Sequence, residues 1–326
     1  MKRAISIVAM SLAIGLSAGT TLAQPSPAWP AKPMTLIVPT TTGGGNDSTA
    51  RLVASGLSKA LGKPIVVKNV PGAGTSIGAA EAAKAPPDGY TLFSAAFASV
   101  GLLPLIKNDL PFQTRDFQPV SQMSDTINIL VVSPTKIRAT SVPELVALLK
   151  ANPSKLNYGS AGVGNQAHLA MELFKLRAGV DASHVPYKGG NDVLVALMSG
   201  QVELAFLNSS SGLQNIKAGQ IRAVGVLTGE RIPELPDVPV IRDSIPAIET
   251  LSPWLGIFVP PNTPRPIIDR LSKETQAYVS TKEARDGMAK FGAYAVGSTP
   301  EALAAKIASD IKIHSELIRQ ANIKFD

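Results

Sequence analysis

Two glycine-rich turns carry the residues best suited to chemistry in this chain. One is Val38-Pro-Thr-Thr-Thr-Gly-Gly-Gly-Asn-Asp47, and the other is Tyr158-Gly-Ser-Ala-Gly-Val-Gly-Asn-Gln-Ala-His168. Each follows a strand-like apolar run and precedes a helical pattern. Hydroxyls and free backbone N–H groups therefore gather at a helix N-terminus, where orphan N–H groups and the helix dipole favour negative charge. Two such anion sites facing one cleft would suit a small carboxylate. The plainer alternative is a pair of ordinary βα turns with N-caps at Asn46 and Asn165.

Motifs for other chemistry fail on their own requirements. Gly162-Val-Gly-Asn-Gln-Ala167 has the spacing of a dinucleotide turn, but the next strand, His184-Val-Pro-Tyr187, ends in Lys188 and glycines instead of the acid a ribose needs. Gly74-Thr-Ser-Ile-Gly78 spells the nucleophile elbow G-x-S-x-G, which also needs a downstream acid and histidine. The histidines are His168, His184 and His314, with no metal-binding spacing among them, so no zinc site is expected. A secreted hydrolase using Ser76 remains the rival reading. Asp47 and Arg51, four apart on a helical pattern, read as an intrahelical pair.

The elements that would position these turns alternate in βα order, which predicts parallel sheets covered by helices. Strands are expected at Met34–Val38, Pro64–Asn69, Thr91–Ala95, Asn128–Val132, Leu156–Ser160, Val202–Phe206, Arg222–Leu227 and Leu255–Val259. Helices are expected at Asn46–Leu61 and Ser76–Lys84, with later ones opening at the capping spacings of Ser141 to Glu144 and Ser298 to Glu301. Segments near Asn128 and Trp254 sit where one βα series gives way to the next. If both are crossovers, residues 24–126 and 252–326 form one discontinuous lobe and 127–251 the other, with a hinged cleft between them.

The first residues bear on location. Met1-Lys2-Arg3, an apolar run from Ala4 to Ala18 and the small residues of Thr21-Leu22-Ala23 have the layout of a secretory signal, predicting residues 1–23 to be removed before Gln24. The run is too short and too rich in Ser, Gly and Thr for a spanning helix. The chain has no cysteine, which excludes disulfides and thiolate chemistry. The formal charge of +7 includes Lys2 and Arg3, so the mature chain carries +5. That charge is scattered, without the clustered stripe and stacking aromatics that nucleic acids need, although it favours small anions.

Taken in order, many segments resemble the periplasmic receptors of tripartite tricarboxylate transporters, the Bug or TctC-type proteins. They are Trp29-Pro-Ala-Lys-Pro33, Gly43-Gly-Gly with Asp47 and Ala50-Arg51, Asn69-Val-Pro-Gly-Ala-Gly74, Pro87-Asp-Gly-Tyr-Thr-Leu92 and Asp116-Phe-Gln-Pro-Val120. Tyr158 to Gly164, His184-Val-Pro-Tyr-Lys-Gly189, Ile216-Lys-Ala-Gly219, Leu235-Pro-Asp-Val-Pro239 and Trp254 follow. The resemblance implies a two-lobed α/β fold of the type II periplasmic-binding-protein class. It would close on a mono- or dicarboxylate, an aromatic one included, without catalysis or cofactor.

By position, the resemblance carries ligand binding to Thr40, Thr41, Thr42, Gly43 and Gly44, and to Ser160, Ala161, Gly162, Val163, Gly164, Asn165 and Gln166. Ser94, Phe97 and Ser99 are expected as a further pocket wall, with Phe206 flanking an apolar ligand body. Asn208 stands where many relatives have an acid just after this strand, which argues against a ligand ammonium. The implied partners are membrane permease subunits, served by a periplasmic monomer. A sensor subunit touching a membrane kinase is the third reading.

Overall fold

The computed structural model describes residues 29–187, 189–321 and 323. The signal segment expected at 1–23 lies outside the described residues. Eleven strands are described: β1 Met34–Val38, β2 Ile65–Asn69, β3 Thr91–Ala96, β4 Gln118–Asp125, β5 Asn128–Val132, β6 Asn157–Ser160, β7 Ser183–Pro186, β8 Leu204–Asn208, β9 Arg222–Val226, β10 Trp254–Val259 and β11 Tyr294–Ala295. The helices are α1 Gly45–Leu61, α2 Ser76–Ala83, α3 Leu103–Ile106, α4 Val142–Ala151, α5 Gln166–Ala178, α6 Gly190–Ser199, α7 Ser209–Lys217, α8 Arg265–Val279, α9 Lys282–Ala289 and α10 Pro300–Gln320.

The strands form two sheets, ordered β11-β4-β10-β3-β1-β2 and β7-β6-β8-β5-β9. The first draws on both ends of the chain and the second on its middle. Within each, the βα units pair in parallel, β1 with β2 and β3, and β6 with β7 and β8. The expectation of parallel sheets is corrected at one interior strand in each, and at the short edge strand β11, which runs antiparallel to β4. β10 runs antiparallel to β3 and β4, and β5 antiparallel to β8 and β9. Both enter their sheet directly from the other one, so no helical crossover reverses them.

Sequence patterning also missed β4, whose Gln, Ser and Asp residues hide a buried strand, and the two-residue β11. The crossovers run side by side: the Thr126 amide donates to the Pro253 carbonyl at 2.7 Å, and Asn128 Nδ2 to the Leu251 carbonyl at 2.7 Å.

Apolar faces bury as the periodicity predicts. Ala50, Val53, Leu57 and Leu61 of α1 pack beneath β1 with Leu36 and Val38. One core cluster runs from Phe93 and Phe97 through Leu303 and Ile307 of α10 to Phe174 and Phe206. The C-terminal helix thus braces both sheets, and Arg177 of α5 reaches Gln320 at its end at 3.2 Å. No helix among the described residues is long and apolar enough to cross a membrane.

Candidate functional site

Three helices begin at one chamber between the sheets. α1 starts at Gly45, α5 at Gln166 and α7 at Ser209. The chamber, about 320 Å³, is lined by Gly45, Asn46 and Thr49 of α1, by Gln166 of α5, and by Asn208, Ser210 and Ser211 around the start of α7. Ala96, the crossover residues Thr126 and Pro253, and Trp254 form most of the remaining wall. No charged side chain is among the lining residues. Each helix terminus brings on the order of half a positive charge and unpaired first-turn N–H groups. The chamber is therefore electropositive without a cation. The Thr49 hydroxyl is buried at this wall with no protein partner.

The first-lobe loop is held by charge. Asp47, almost wholly buried, accepts from the Gly43 amide at 2.9 Å, from Arg51 Nε at 3.0 Å and from Asn69 Nδ2 at 2.8 Å. Burial pushes its carboxyl up, but Arg51, the Gly43 amide and Asn69 outweigh that, and the net shift is downward. Asn69 Nδ2 also binds the Thr40 carbonyl at 3.0 Å. The expected N-cap at Asn46 is corrected: Gly44 holds the cap position without a side-chain bond. Asn46 instead turns to β3, accepting from Ser94 Oγ at 2.6 Å and donating to the Ser94 carbonyl at 3.3 Å. Ser94 thus fixes Asn46 at the chamber wall and is itself fully buried.

The second-lobe turn is held by neutral rings. Asn165 caps α5 as expected, accepting from the His168 amide at 2.8 Å. The Gly164 amide donates to His168 Nδ1 at 2.9 Å, so that nitrogen must be unprotonated. Burial, with His184 next to it, drives the His168 pKa down to about 4. His184 stacks on His168 with ring centroids 4.1 Å apart and on Tyr158 at 4.8 Å. Its Nε2 lies 2.7 Å from Ser160 Oγ. Ser160 Oγ spends its proton on the Gly162 carbonyl at 3.0 Å, so His184 is the donor. Gly162 and Gly164 have φ of +113° and +76°, where a side chain would be strained.

The expected site residues divide. Gln166 and Asn208 line the chamber. Ala161, Val163, Gly164 and Asn165 line a second chamber of about 440 Å³ beside it, across from Ala98, Leu102, Leu103 and Ile106. Thr40, Thr41, Thr42, Gly43 and Gly44 border neither chamber. Thr42 Oγ1 instead reaches Asn69 at 3.3 Å.

Three expected site residues, Phe97, Ser99 and Ser160, border neither chamber. Phe97 is fully buried, its ring against Trp254 and His314. Ser99 is buried and bonded to Thr75 Oγ1 at 2.9 Å. Ser160 serves its own turn. Phe206 is likewise core, edge-on to Phe174. The chain enters a helical turn straight after β3, which carries Phe97 and Ser99 into the interior.

Asn46, Thr49, Ser210, Ser211 and Trp254 were missed as wall residues. Asn46 and Thr49 carry a signal, being three apart on the first turns of a helix after a glycine run. The run Asn208-Ser-Ser-Ser211 directly after an apolar strand is another. Between the lobes, Ser209 Oγ accepts from the Ile127 amide at 3.1 Å and donates to the Gly292 carbonyl at 2.5 Å. Trp254 is fixed by its indole N–H, which donates to Asp310 Oδ2 at 2.7 Å. Ser76 Oγ donates to the Ala73 carbonyl at 2.9 Å, an ordinary turn contact.

Comparison with known proteins gives one answer. The model of the tripartite tricarboxylate transporter family receptor matches residues 49–323. The BugT protein of Bordetella pertussis is 33% identical over 328 residues, covering 99% of each chain. Among solved structures, Rpa4515 of R. palustris with adipate is 31% identical with a TM-score of 0.80, covering 91% of this chain and 99% of that one. MatC of Rhodopseudomonas palustris with bound malate is 26% identical with a TM-score of 0.75, covering 89% and 100%. These neighbours are binding proteins, and the Ser76 hydrolase reading falls with that finding. Two sheets joined by paired crossovers around an electropositive chamber, matched over nearly the whole chain, make this protein a member of the tripartite tricarboxylate transporter receptor family, a binding receptor and not an enzyme.

Proposed function

We propose that this chain captures a small carboxylate in the periplasm, between lobes spanning about 24–126 with 252–326 and 127–251, and presents it as a monomer to the permease of a tripartite tricarboxylate transporter. The observation that carries the reading is the convergence of three helix N-termini on a chamber with no acidic side chain in its wall. Adipate and malate in two neighbours support the ligand class. Asn46, Gln166 and Asn208 offer amide N–H donors, while first-turn backbone amides offer the rest. Thr40 to Gly44 contribute by shaping the start of α1 through Asn69 and Asp47.

Asn208 is the discriminating residue. Its side chain makes no capping bond, which leaves the amide for the ligand. Titration calorimetry with adipate, succinate and malate tests the reading. Wild type should bind at least one of these acids and should not bind their diamine analogues. Asn208→Asp, which brings a carboxylate to the ligand's own, should weaken binding by several kcal/mol. Unchanged affinity in that variant, or binding of the diamines alone, would overturn the carboxylate reading. Intact mass of exported protein beginning at Gln24 tests the location separately.

A further inference from the structure

We infer that Gly292 is the stop that sets how far the two lobes close, and through it the width of the polar chamber. A residue outside the chamber wall thereby governs which acids fit inside. This inference rests on the two-lobe carboxylate reading above and adds what fixes the size of its cleft.

The wall of the chamber passes from one lobe to the other at this point. Phe291 and Ala293 line it from the first lobe, and Ser210 and Ser211 from the second. Gly292, between the first two, sets its backbone against the start of α7. A Cβ built on Gly292 would stand 2.8 Å from the carbonyl carbon and oxygen of Ser209 and from the amide nitrogen of Ser210. Carbon atoms in ordinary contact lie about 3.5–4.0 Å apart, so not even one methyl group fits. The Gly292 carbonyl also accepts from Ser209 Oγ at 2.5 Å. With the lobes touching here, the walls on either side cannot come closer.

Both sides of the contact are pinned. In the first lobe, the amides of Phe291 and Ala293 donate to the Met288 carbonyl and that of Gly292 to the Ala289 carbonyl, each at 3.1 Å. Ala293 is buried, and Tyr294 enters β11 opposite Asp125 of β4. In the second lobe, the Ser209 amide donates to the Ile127 carbonyl at 2.8 Å, and Ser209 Oγ accepts from the Ile127 amide at 3.1 Å. The obstacle is backbone on backbone, which no rotamer change moves aside. Asp125 and Ile127 flank Thr126 of the first crossover, so the stop lies beside the hinge. A small parting there grows across the cleft as the lobes turn about the crossovers. Tyr294 keeps the stop engaged, its ring packed on the core of the second lobe and its hydroxyl donating to Glu234 at 2.6 Å.

Gly62 supplies a matched control, having the same φ of +67° as Gly292 but nothing within 4 Å of its Cβ position. The chain has no cysteine, so Val66→Cys and Val195→Cys, exposed on opposite lobes, take one pair of spin labels. Pulsed electron resonance then reads the interlobe distance with and without malate or adipate. Gly292→Ala should lengthen the shortest distance by about 2 Å, and Gly62→Ala should leave it unchanged. Tyr294→Phe, which keeps the glycine, should spread the distances upward without moving their short edge. Calorimetry on the unlabelled proteins should show Gly292→Ala weakening malate about tenfold, because bonds from facing walls are stretched beyond reach, and weakening the longer adipate less. An unmoved shortest distance in Gly292→Ala, equal lengthening in Gly62→Ala, or a shorter edge in Tyr294→Phe overturns the stop. Equal weakening of both acids overturns its part in selection. Failure of wild type to bind either acid sinks the carboxylate reading instead, and the label distances still decide the stop.

Discussion

The loop at 40–47 and the turn at 158–168 share one sequence grammar, a strand, a glycine-rich turn and a helix, yet they are fixed by opposite physics. The first is exposed from Thr41 to Gly45, and its stability comes from a buried carboxylate with three donors, the centre of a charged network of Asp47, Arg51 and Asn69. The second is half-buried and held by two stacked imidazoles, of which His168 must stay neutral to accept from the Gly164 amide. Both serve the same end, a helix N-terminus aimed at the chamber. The difference is that a charge network fails when its acid is protonated, whereas a neutral ring stack fails when its rings are.

Removing the acid should break the first loop hardest. Asp47→Ala strands the Gly43 amide, Arg51 and Asn69, and should cost about 2–4 kcal/mol of stability by chemical denaturation. A loss under about 1 kcal/mol would mean that backbone geometry alone holds the loop and that the contrast is false.

Acid should separate the two regions without any mutation. His168 has its folded pKa held at about 4 by burial, below the ordinary 6.5, so between these values the unfolded chain binds more protons. Its stabilising contribution is complete above pH 6.5 and drains away as pH falls toward 4, by up to about 3 kcal/mol. His184, also lowered by burial, acts in the same direction. Asp47, whose pKa is lowered from 3.8, keeps its contribution until the pH drops below that value. Hydrogen exchange, corrected for intrinsic rates, should therefore show peptides across 158–168 loosening between pH 7 and 5 while those across 40–47 hold. His168→Asn should flatten the pH slope of stability, and equal loosening of both regions would remove the distinction.

A smaller effect probes the turn's backbone. Gly164→Val places a β-branched side chain at a φ of +76°, which should cost about 1–2 kcal/mol and keep the cleft from closing on ligand in small-angle scattering. Normal compaction would reduce this turn to helix capping. The smallest change belongs to Thr42→Val. Its hydroxyl makes one long bond to Asn69, and under about 1 kcal/mol should be lost in stability or affinity. A larger loss in affinity would bring the first loop into direct ligand contact.

Much of this protein is legible in its residues. The βα alternation, the helix of Ala50, Val53 and Leu57, the caps at Ser141 and Asn165, and the Asp47–Arg51 pair all stand where local periodicity and turn chemistry place them, while the last helix is capped by Thr299, one residue after the expected Ser298. Local rules suffice there because the partner is within four residues or on the same face. β4 escaped because its buried polar residues break the apolar pattern.

The reversed directions of β5 and β10 belong to the tertiary structure, because their neighbours are chosen across about seventy residues of chain or more. So does the division of the site. Sequence could bring Gly, Ser and Thr to helix starts, but only the packing of α10 and β10 holds Phe97 inward. Only the docking of Ser94 on Asn46 turns that side chain from a cap into a chamber wall. The residues determined that anion-favouring helix ends would exist. Which of them meet in one chamber depended on contacts between lobes, and those have no local signature in the chain.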